Sequence, residues 1–340
     1  MAVRRELDRL CSRRQRLRPR LSSRGRLFHW RRTLFRWRAR AAVTMRSRLA
    51  GAIWVAVAFG LLAVPAADAD VRVTDDTGAA VALASPAQRV VSLAPHATEL
   101  LFGAGAGTRV VGVMSGSDFP PAATQLPVVG NANALDLERI LALRPDLIVT
   151  WPYTTPTQVD VLRAQGIAVF TTDPRTIDGI ARDIERLGIL ADSSTVARDV
   201  AQRFRTRLAG LAERSAGKII VRVFYQVSDV PLYTVGGDHL ITQALKLCGA
   251  QNVFAPLTLP APEISIEAVL AAQPDAIVAG TAAAVTPLWL AQWKRWSDMP
   301  AVRGNRLFVV DANLLHRPGP RFVDGVQQLC DAVERARSSM

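Results

Sequence analysis

Three histidines and four aromatic residues fall where predicted strands end and loops begin, the places at which α/β proteins hold small molecules. His96 follows the first predicted strand, His239 follows Gly236 and Gly237, and His316 follows the last strand. Imidazoles converging on a cleft could bind a bare transition metal, or ligate the iron or cobalt of a metal chelate. Their local spacing forms no metal motif, with no HExxH helix and no paired cysteine ligands. Trp151 and Tyr153 lie just past one strand, Tyr225 closes another, and Tyr233 follows shortly after, positions at which an aromatic is core about as often as cleft. Asn313, His316 and Arg317 follow the last strand, and Arg317 suits acidic or amide groups. Each also has an ordinary reading: a capping or surface histidine, a core aromatic, an arginine beside the rigid Pro318-Gly319-Pro320 turn.

Catalytic alternatives lack support. The glycines at 103, 105 and 107 resemble a nucleotide loop, but they follow a helical run instead of a strand and read as a helix C-cap. Met114-Ser115-Gly116 is no nucleophile elbow, and no Ser/His/Asp set has the required chain order. Trp289, Trp293 and Trp296 recur at helical spacing, a pattern for packing. An exported α/β enzyme using such a cleft is the competing class; a non-catalytic, cofactor-free binding module fits better.

The elements that must position these residues alternate. Predicted strands cover Arg89–Leu93, Val110–Met114, Leu147–Thr150, Ile167–Thr171, Ile219–Tyr225, Ala276–Val278 and Leu307–Val310, with helical patterns in most gaps, the signature of an α/β fold with largely parallel sheets. An internal repeat divides it. Residues 137–149 (LERILALRPDLIV) and 266–278 (IEAVLAAQPDAIV) align without gaps at an offset of 129 and share 7 of 13 positions. The same offset sets the strand at Arg89 over the chain near Lys218. The reading is therefore two similar α/β lobes, 85–191 and 217–338. Between them 192–216 opens on the capping candidates Asp192, Ser193 and Ser194 and carries Val196, Val200, Phe204, Leu208 and Leu211 at helical spacing: one long bridging helix, with a ligand cleft between the lobes.

The formal charge of +13 suggests a nucleic-acid binder until it is divided along the chain. Residues 1–69 hold 17 Arg against 3 acids, leaving 25 basic and 26 acidic residues for the rest. The folded part is thus near neutral, and no nucleic-acid partner is expected. From Met45, a basic MRSR, the apolar run Leu49–Val64 and the small residues Ala67 and Ala69 form a secretory signal peptide over 45–69, cleaved before Asp70. The apolar run is 16 residues, short of the ~20 that span a bilayer. An Arg-rich stretch upstream of an export signal has no evident use, so 1–44 reads as a non-native extension. Cys248 and Cys330, an even pair in an exported protein, are candidates for a disulfide; each also sits late in a helical segment where a buried thiol would pack.

Several strings in order, RVVSLAPHATELLFGAGAGTRVVGV, SDFPP, LDLERILALRPDLIVTW, VRVFYQ, PLYTVGG, LCGAQNVF and HRPGPRFVDGVQQLC, resemble the periplasmic substrate-binding proteins of ABC importers for cobalamin and ferric siderophores, over about residues 86–336. The resemblance implies a monomeric receptor that binds a metal chelate without chemistry, cobalamin or a related corrinoid first, haem or a ferric siderophore otherwise, and passes it to a permease dimer. It implies that Glu138 and Glu267, equivalent in the two repeats, dock on the two permease subunits. Asp136 and Ser265 cap the helices there, so each Glu also complements a positive helix end. It implies an aromatic cleft to which Trp151 corresponds. This sequence departs from the pattern at Gly116, where the family motif has Tyr, and at Ala132 and Ala261, where it has Trp, and offers Tyr153, Tyr225 and Tyr233 instead.

Overall fold

The computed structural model describes residues 71–282 and 286–340. The upstream extension at 1–44 and the signal peptide at 45–69 lie outside the described residues. In chain order the first lobe contains β1 (Val71–Thr74), β2 (Ala80–Leu83), β3 (Val90–Ser92), α1 (Pro95–Gly103), β4 (Val110–Val113), β5 (Gly130–Asn131), β6 (Ala134–Leu135), α2 (Leu137–Ala142), β7 (Leu147–Thr150), α3 (Pro156–Ala164), β8 (Ala168–Thr171) and α4 (Ile177–Leu190). Helix α5 (Ser194–Ser215) crosses to the second lobe. There follow β9 (Val221–Gln226), β10 (Ser228–Asp229), β11 (Leu232–Tyr233), α6 (Leu240–Leu247), β12 (Ala250–Asn252), α7 (Ile266–Ala272), β13 (Ala276–Thr281), α8 (Leu288–Ala291), α9 (Pro300–Arg303), β14 (Leu307–Asp311), α10 (Ala312–Leu315) and α11 (Phe322–Ser338).

Each lobe is built on a four-stranded sheet, β4-β3-β7-β8 in the first and β12-β9-β13-β14 in the second, with every neighbouring pair parallel. The order is the same in both lobes: second, first, third, fourth. Successive side chains point to opposite faces of a strand, so each sheet feeds two cores. Val90, Leu147, Val149 and Phe170 join Val223, Tyr225, Val278 and Val310 in one core shared by the lobes. Val91, Ile148 and Val169 face a separate core in the first lobe, and Phe224, Ile277 and Ala279 face another in the second. Two covered faces explain why these strands read as continuous apolar runs. Trp293 is buried in the second-lobe core with Trp289 and Trp296 packed beside it, on a short α turn continued as a 3-10 turn.

The repeat's Pro-Asp step has a structural purpose. The Asp146 carboxylate accepts from the backbone N–H groups of Gln88 (2.7 Å) and Arg89 (3.0 Å), and Asp275 accepts from that of Arg222 (2.9 Å). The arginines return the bond, Arg89 to the Leu143 carbonyl and Arg222 to those of Ala272 and Gln273. Each clamp ties the start of the lobe's first strand to the helix end that precedes its third strand. Sheet register sets Val90 beside Leu147 and Val223 beside Ala276. Equivalent first-strand residues are thus 133 apart, not 129 as the uniform sequence offset placed them. The second lobe's connection from first to third strand is four residues shorter, and loop length is free where the sheet is not.

The 22-residue α5 is ~33 Å long, enough to bridge both lobes. Its buried stripe is Ala197, Ala201, Phe204, Leu208 and Leu211, while Val196, expected inside, is half exposed. Close approach to α4 causes the shift. A Cβ at Gly188 would sit 2.2 Å from Ala197 Cβ, so only small residues fit where the helices meet. Arg205 of α5 fixes the pair from the rim through Glu185 and Asp178. The β1–β2 hairpin, which sequence reading passed over, adds to the first lobe: Asp75 accepts from Thr171 N–H and Asp76 from Asp173 N–H. Among the described residues no helix is long and apolar enough to cross a membrane.

Cys248, just past α6, and Cys330 of α11 form a disulfide with their Cα atoms 4.8 Å apart. It crosslinks the chain across 82 residues, for which loop-closure entropy gives about 4.5 kcal/mol as an upper figure. Thiol titration of denatured, unreduced protein is expected to find neither of these cysteines free, and reduction to lower the melting temperature measurably. Two titratable thiols at these positions would contradict the bridge.

Candidate ligand cleft

The C-terminal ends of both parallel sheets open into one cleft of about 560 Å³. The first lobe contributes His96 from the first turn of α1, Trp151 and Tyr153 past β7, and Thr172, Asp173, Pro174 and Arg175 past β8. The second lobe contributes Gly237, Asp238, His239, Leu240 and Gln243 around the start of α6, Pro260, and Leu315, His316 and Pro318 past β14. Gln243 reaches across: its amide donates to the Arg175 carbonyl (2.8 Å) and accepts from Ile177 N–H (3.2 Å).

Trp151 stands at the centre of the aromatic wall, edge-to-face with His96 (5.1 Å between centroids) and with Tyr153 (4.7 Å). Tyr153 is 65% exposed at the rim, leaving its ring open to a ligand. Three imidazoles share the cleft, each in a different state of engagement. His239 caps α6, its Nδ1 accepting from Ile241 N–H at 3.1 Å. His316 Nε2 lies 3.0 Å from the hydroxyl of Tyr225. His96 is buried, and its Nε2 has no partner among the described residues. Burial lowers His96 to about 4, helped by the nearby Arg317 cation, and burial lowers His239 to about 4 with a contribution from His316. Both rings are neutral near pH 7. The three do not cluster closely enough to hold a bare metal ion, and no such group exists among the described residues.

Of the eight residues expected to meet ligand, His96, Trp151, Tyr153 and His316 line the cleft, whereas Tyr225, Tyr233, Asn313 and Arg317 do not. Tyr225 is buried in the shared core and acts on the cleft through His316. Tyr233 sits in the β10–β11 ladder, and Asn313 turns away to donate to the Ala282 carbonyl. Arg317 is committed to two acids of the first lobe: it pairs with Asp118 and reaches Glu99 at 3.5 Å, while Arg321 meets Glu99 at 2.6 and 2.9 Å. Arg321 also lies over the Phe119 ring, 3.7 Å from its centroid. This cluster ties α1 and the 118–119 loop of one lobe to the start of α11 in the other. Gly116, Ala132 and Ala261, the departures from the family pattern, are all outside the cleft lining.

Sequence reading missed Thr172, Asp173, Arg175, Asp238 and Gln243. The first three follow a predicted strand, so the strand-end rule could have found them. Their loop is held from behind: Thr172 donates to the buried Asp183 (2.7 Å), which pairs with Arg186, and Arg186 reaches Asp76.

Glu138 and Glu267 occupy the same place in the two lobes, the second residue of α2 and of α7. The caps form as expected, Asp136 accepting from Arg139 N–H (2.9 Å) and Ser265 from Ala268 N–H (3.2 Å). Both glutamates are exposed, neither has an ion-pair partner among the described residues, and neither touches the cleft. The Glu267 carboxyl is held below the usual range by its own backbone N–H and by the Ser265 hydroxyl.

Two lobes of identical topology on one bridging helix, with a polar and aromatic cleft at the facing strand ends, define a small-molecule binding protein. Residues 90–314 match the sequence profile of the family described as periplasmic binding protein, and the chain belongs to that family. It is 37% identical over 254 residues to the vitamin B12-binding protein of Vibrio cholerae, covering 74% of this chain and 91% of that one. The crystal structure of the periplasmic vitamin B12 binding protein of Vibrio cholerae superposes with a TM-score of 0.67 at 36% identity, over 74% of this chain and 98% of that one. A periplasmic heme binding protein from Pseudomonas aeruginosa gives 0.64 at 26%, over 74% and 94%.

Proposed function

We propose that the chain captures cobalamin or a closely related corrinoid in this cleft and delivers it to the membrane permease of an ABC importer, after export by the 45–69 signal peptide. The observation that carries the reading is the cleft's chemistry: an aromatic wall of half-buried Trp151 and exposed Tyr153 beside neutral imidazoles and amide-competent polar groups. It favours a corrin over haem. Among the described lining residues Arg175 is the one Arg or Lys, and it is paired with Asp173, while Asp238 adds a further carboxylate. Two haem propionates would meet no free cation there, whereas the amide rim of a corrin needs only donors and acceptors. The relatives with the higher identities bear vitamin B12-binding names, which agrees. Glu138 and Glu267, one exposed on each lobe, supply the docking contacts to the two permease subunits.

The test is a titration of cobalamin, cobinamide, haemin and a ferric hydroxamate, followed by tryptophan fluorescence or calorimetry. Corrinoids are expected to bind tightest. Trp151→Ala should weaken that binding about 30-fold, the ~2 kcal/mol typical of truncating a central aromatic anchor. Preference for haemin over every corrinoid would overturn the assignment.

A further inference from the structure

Gln243, half-buried on α6 and part of the cleft lining, bonds to the backbone of the opposite lobe. Its amide nitrogen donates to the Arg175 carbonyl at 2.8 Å, and its amide oxygen accepts from the Ile177 N–H at 3.2 Å. Ile177 opens α4, and the first N–H groups of a helix have no partner within it. The Thr176 side chain meets that of Gly179, so the Ile177 N–H is left to the other lobe. A longer bond, 3.4 Å, ties the same Gln243 nitrogen to the Asp238 carbonyl of its own lobe. The two cross-lobe bonds flank Thr176 and fix both the distance and the orientation of one turn. Glutamine is suited to this because it carries a donor and an acceptor at one reach, whereas an ionised glutamate lacks the donor and a lysine the acceptor. Upstream of the turn the chain is pinned to its own lobe: Thr172 N–H donates to the Thr150 carbonyl (2.8 Å), the Thr172 hydroxyl to Asp183 (2.7 Å), and Asp173 N–H to Asp76 (2.6 Å). Between the two anchorages stand Asp173, Pro174 and Arg175, all in the cleft lining.

We infer that Gln243 is a positioning residue of the binding site: from the second lobe it holds the 175–177 turn of the first, and so sets where the Asp173–Arg175 segment stands against the facing wall of Gly237, His239 and Leu240. The inference rests on the corrinoid reading above for its choice of ligand, and adds to it the residue that registers one wall of the cleft on the other. The segment's own lobe restrains its upstream end. Without Gln243 the downstream end can shift with the start of α4, and the segment spreads over more positions, so that ordering it on binding costs affinity. The remaining contacts keep the lobes joined when this tie is cut. Ile177 packs in the shared core with Ile241 and Leu245, and Arg317 and Arg321 bond across the lobes to Asp118 and Glu99, away from this turn.

Amide hydrogen exchange of the ligand-free protein, beside titration with cobinamide, tests the role. In the wild type the Ile177 amide is expected to be protected before any ligand is added; exchange at the rate of an open amide would overturn the inference, and this arm needs no variant to fold. In Gln243→Leu, which removes both bonds, the Ile177 amide should exchange about 10-fold faster or more, and the loosening should reach the Asp173 amide. Gln243→Glu keeps the size and the acceptor but sets a carboxylate against the Arg175 carbonyl. Both variants should bind cobinamide about 10-fold more weakly than the wild type. Weaker binding with unchanged exchange at Asp173 would make Gln243 a direct ligand contact and overturn the positioning role. Faster exchange with unchanged affinity would make it a structural tie alone, which overturns it equally. Should a ligand other than a corrinoid bind tightest in the panel above, the corrinoid reading falls, while the exchange measurements and a titration with that ligand still decide for or against Gln243.

Discussion

Reversal of charge at both Glu138 and Glu267 to Arg is expected to abolish uptake of the ligand in cells while leaving the purified protein's affinity for it unchanged. The two carboxylates stand at the second position of α2 and α7, which occupy equivalent places beside equivalent sheets. They are exposed, have no ion-pair partner among the described residues, and lie outside the cleft. A pair of unpaired charges related by the repeat suits a partner with its own two-fold symmetry, as interface charges mainly set register and encounter. The alternative is that each Glu only complements its helix end. The caps themselves are Asp136 and Ser265, untouched by the substitutions, so that alternative predicts a small fall in melting temperature and normal transport. Ligand titration beside an uptake assay in cells lacking the native protein separates the two. Single reversals should each give a partial loss if both contacts are used.

The second large effect lies at the junction of the lobes. Glu99 has a side chain 2% exposed and bonds to Arg321 through both carboxylate oxygens, with Arg317 3.5 Å away. Glu99→Ala would leave two guanidinium groups, 18% and 22% exposed, with Asp118 as their remaining acid. Breaking a buried pair from one side typically costs about 3–5 kcal/mol. Because the arginines keep some solvent, the lower end is expected, and in a domain of this size ~3 kcal/mol corresponds to a drop of roughly 6–12 °C in melting temperature. The loss should persist in high salt, which screens exposed charges and spares buried ones. A change under about 1 kcal/mol, or one that salt erases, would show the cluster to be a surface decoration. Gly319 sits against this site, where a Cβ would lie 3.2 Å from that of Glu99, so the approach of the lobes there is close.

Much of this architecture is written in local pattern. Alternation of apolar runs with helical spacing announces parallel strands because burial on both faces leaves no polar positions, and the 137–149 and 266–278 repeat announces two lobes because the Pro-Asp clamp needs the same residues in each. The long apolar stripe of 194–215 announces the bridge, although which residues of that stripe are buried depended on Gly188 and Ala197 meeting. The β1–β2 hairpin carried an alternating VRVT and AVAL signal around a turn, and it is held by the Asp75 bond to the last residue of β8 and the Asp76 bond to the loop that follows. Strand ends pointed to His96, Trp151, Tyr153 and His316, since every parallel strand delivers its C-terminal end to the same edge. Local pattern thus reaches the class of fold, the lobe count and the edge at which the site lies. Tertiary structure alone decided the rest: that Tyr225 is core and orients His316, that Arg317 leaves the cleft for Glu99 and Asp118, and that His96 is left with its nitrogens unmet. Those outcomes turn on which side chains from segments 90 to more than 200 residues apart arrive within hydrogen-bonding distance, and hydrogen bonds and ion pairs, being short-ranged and directional, leave no periodic trace along the chain.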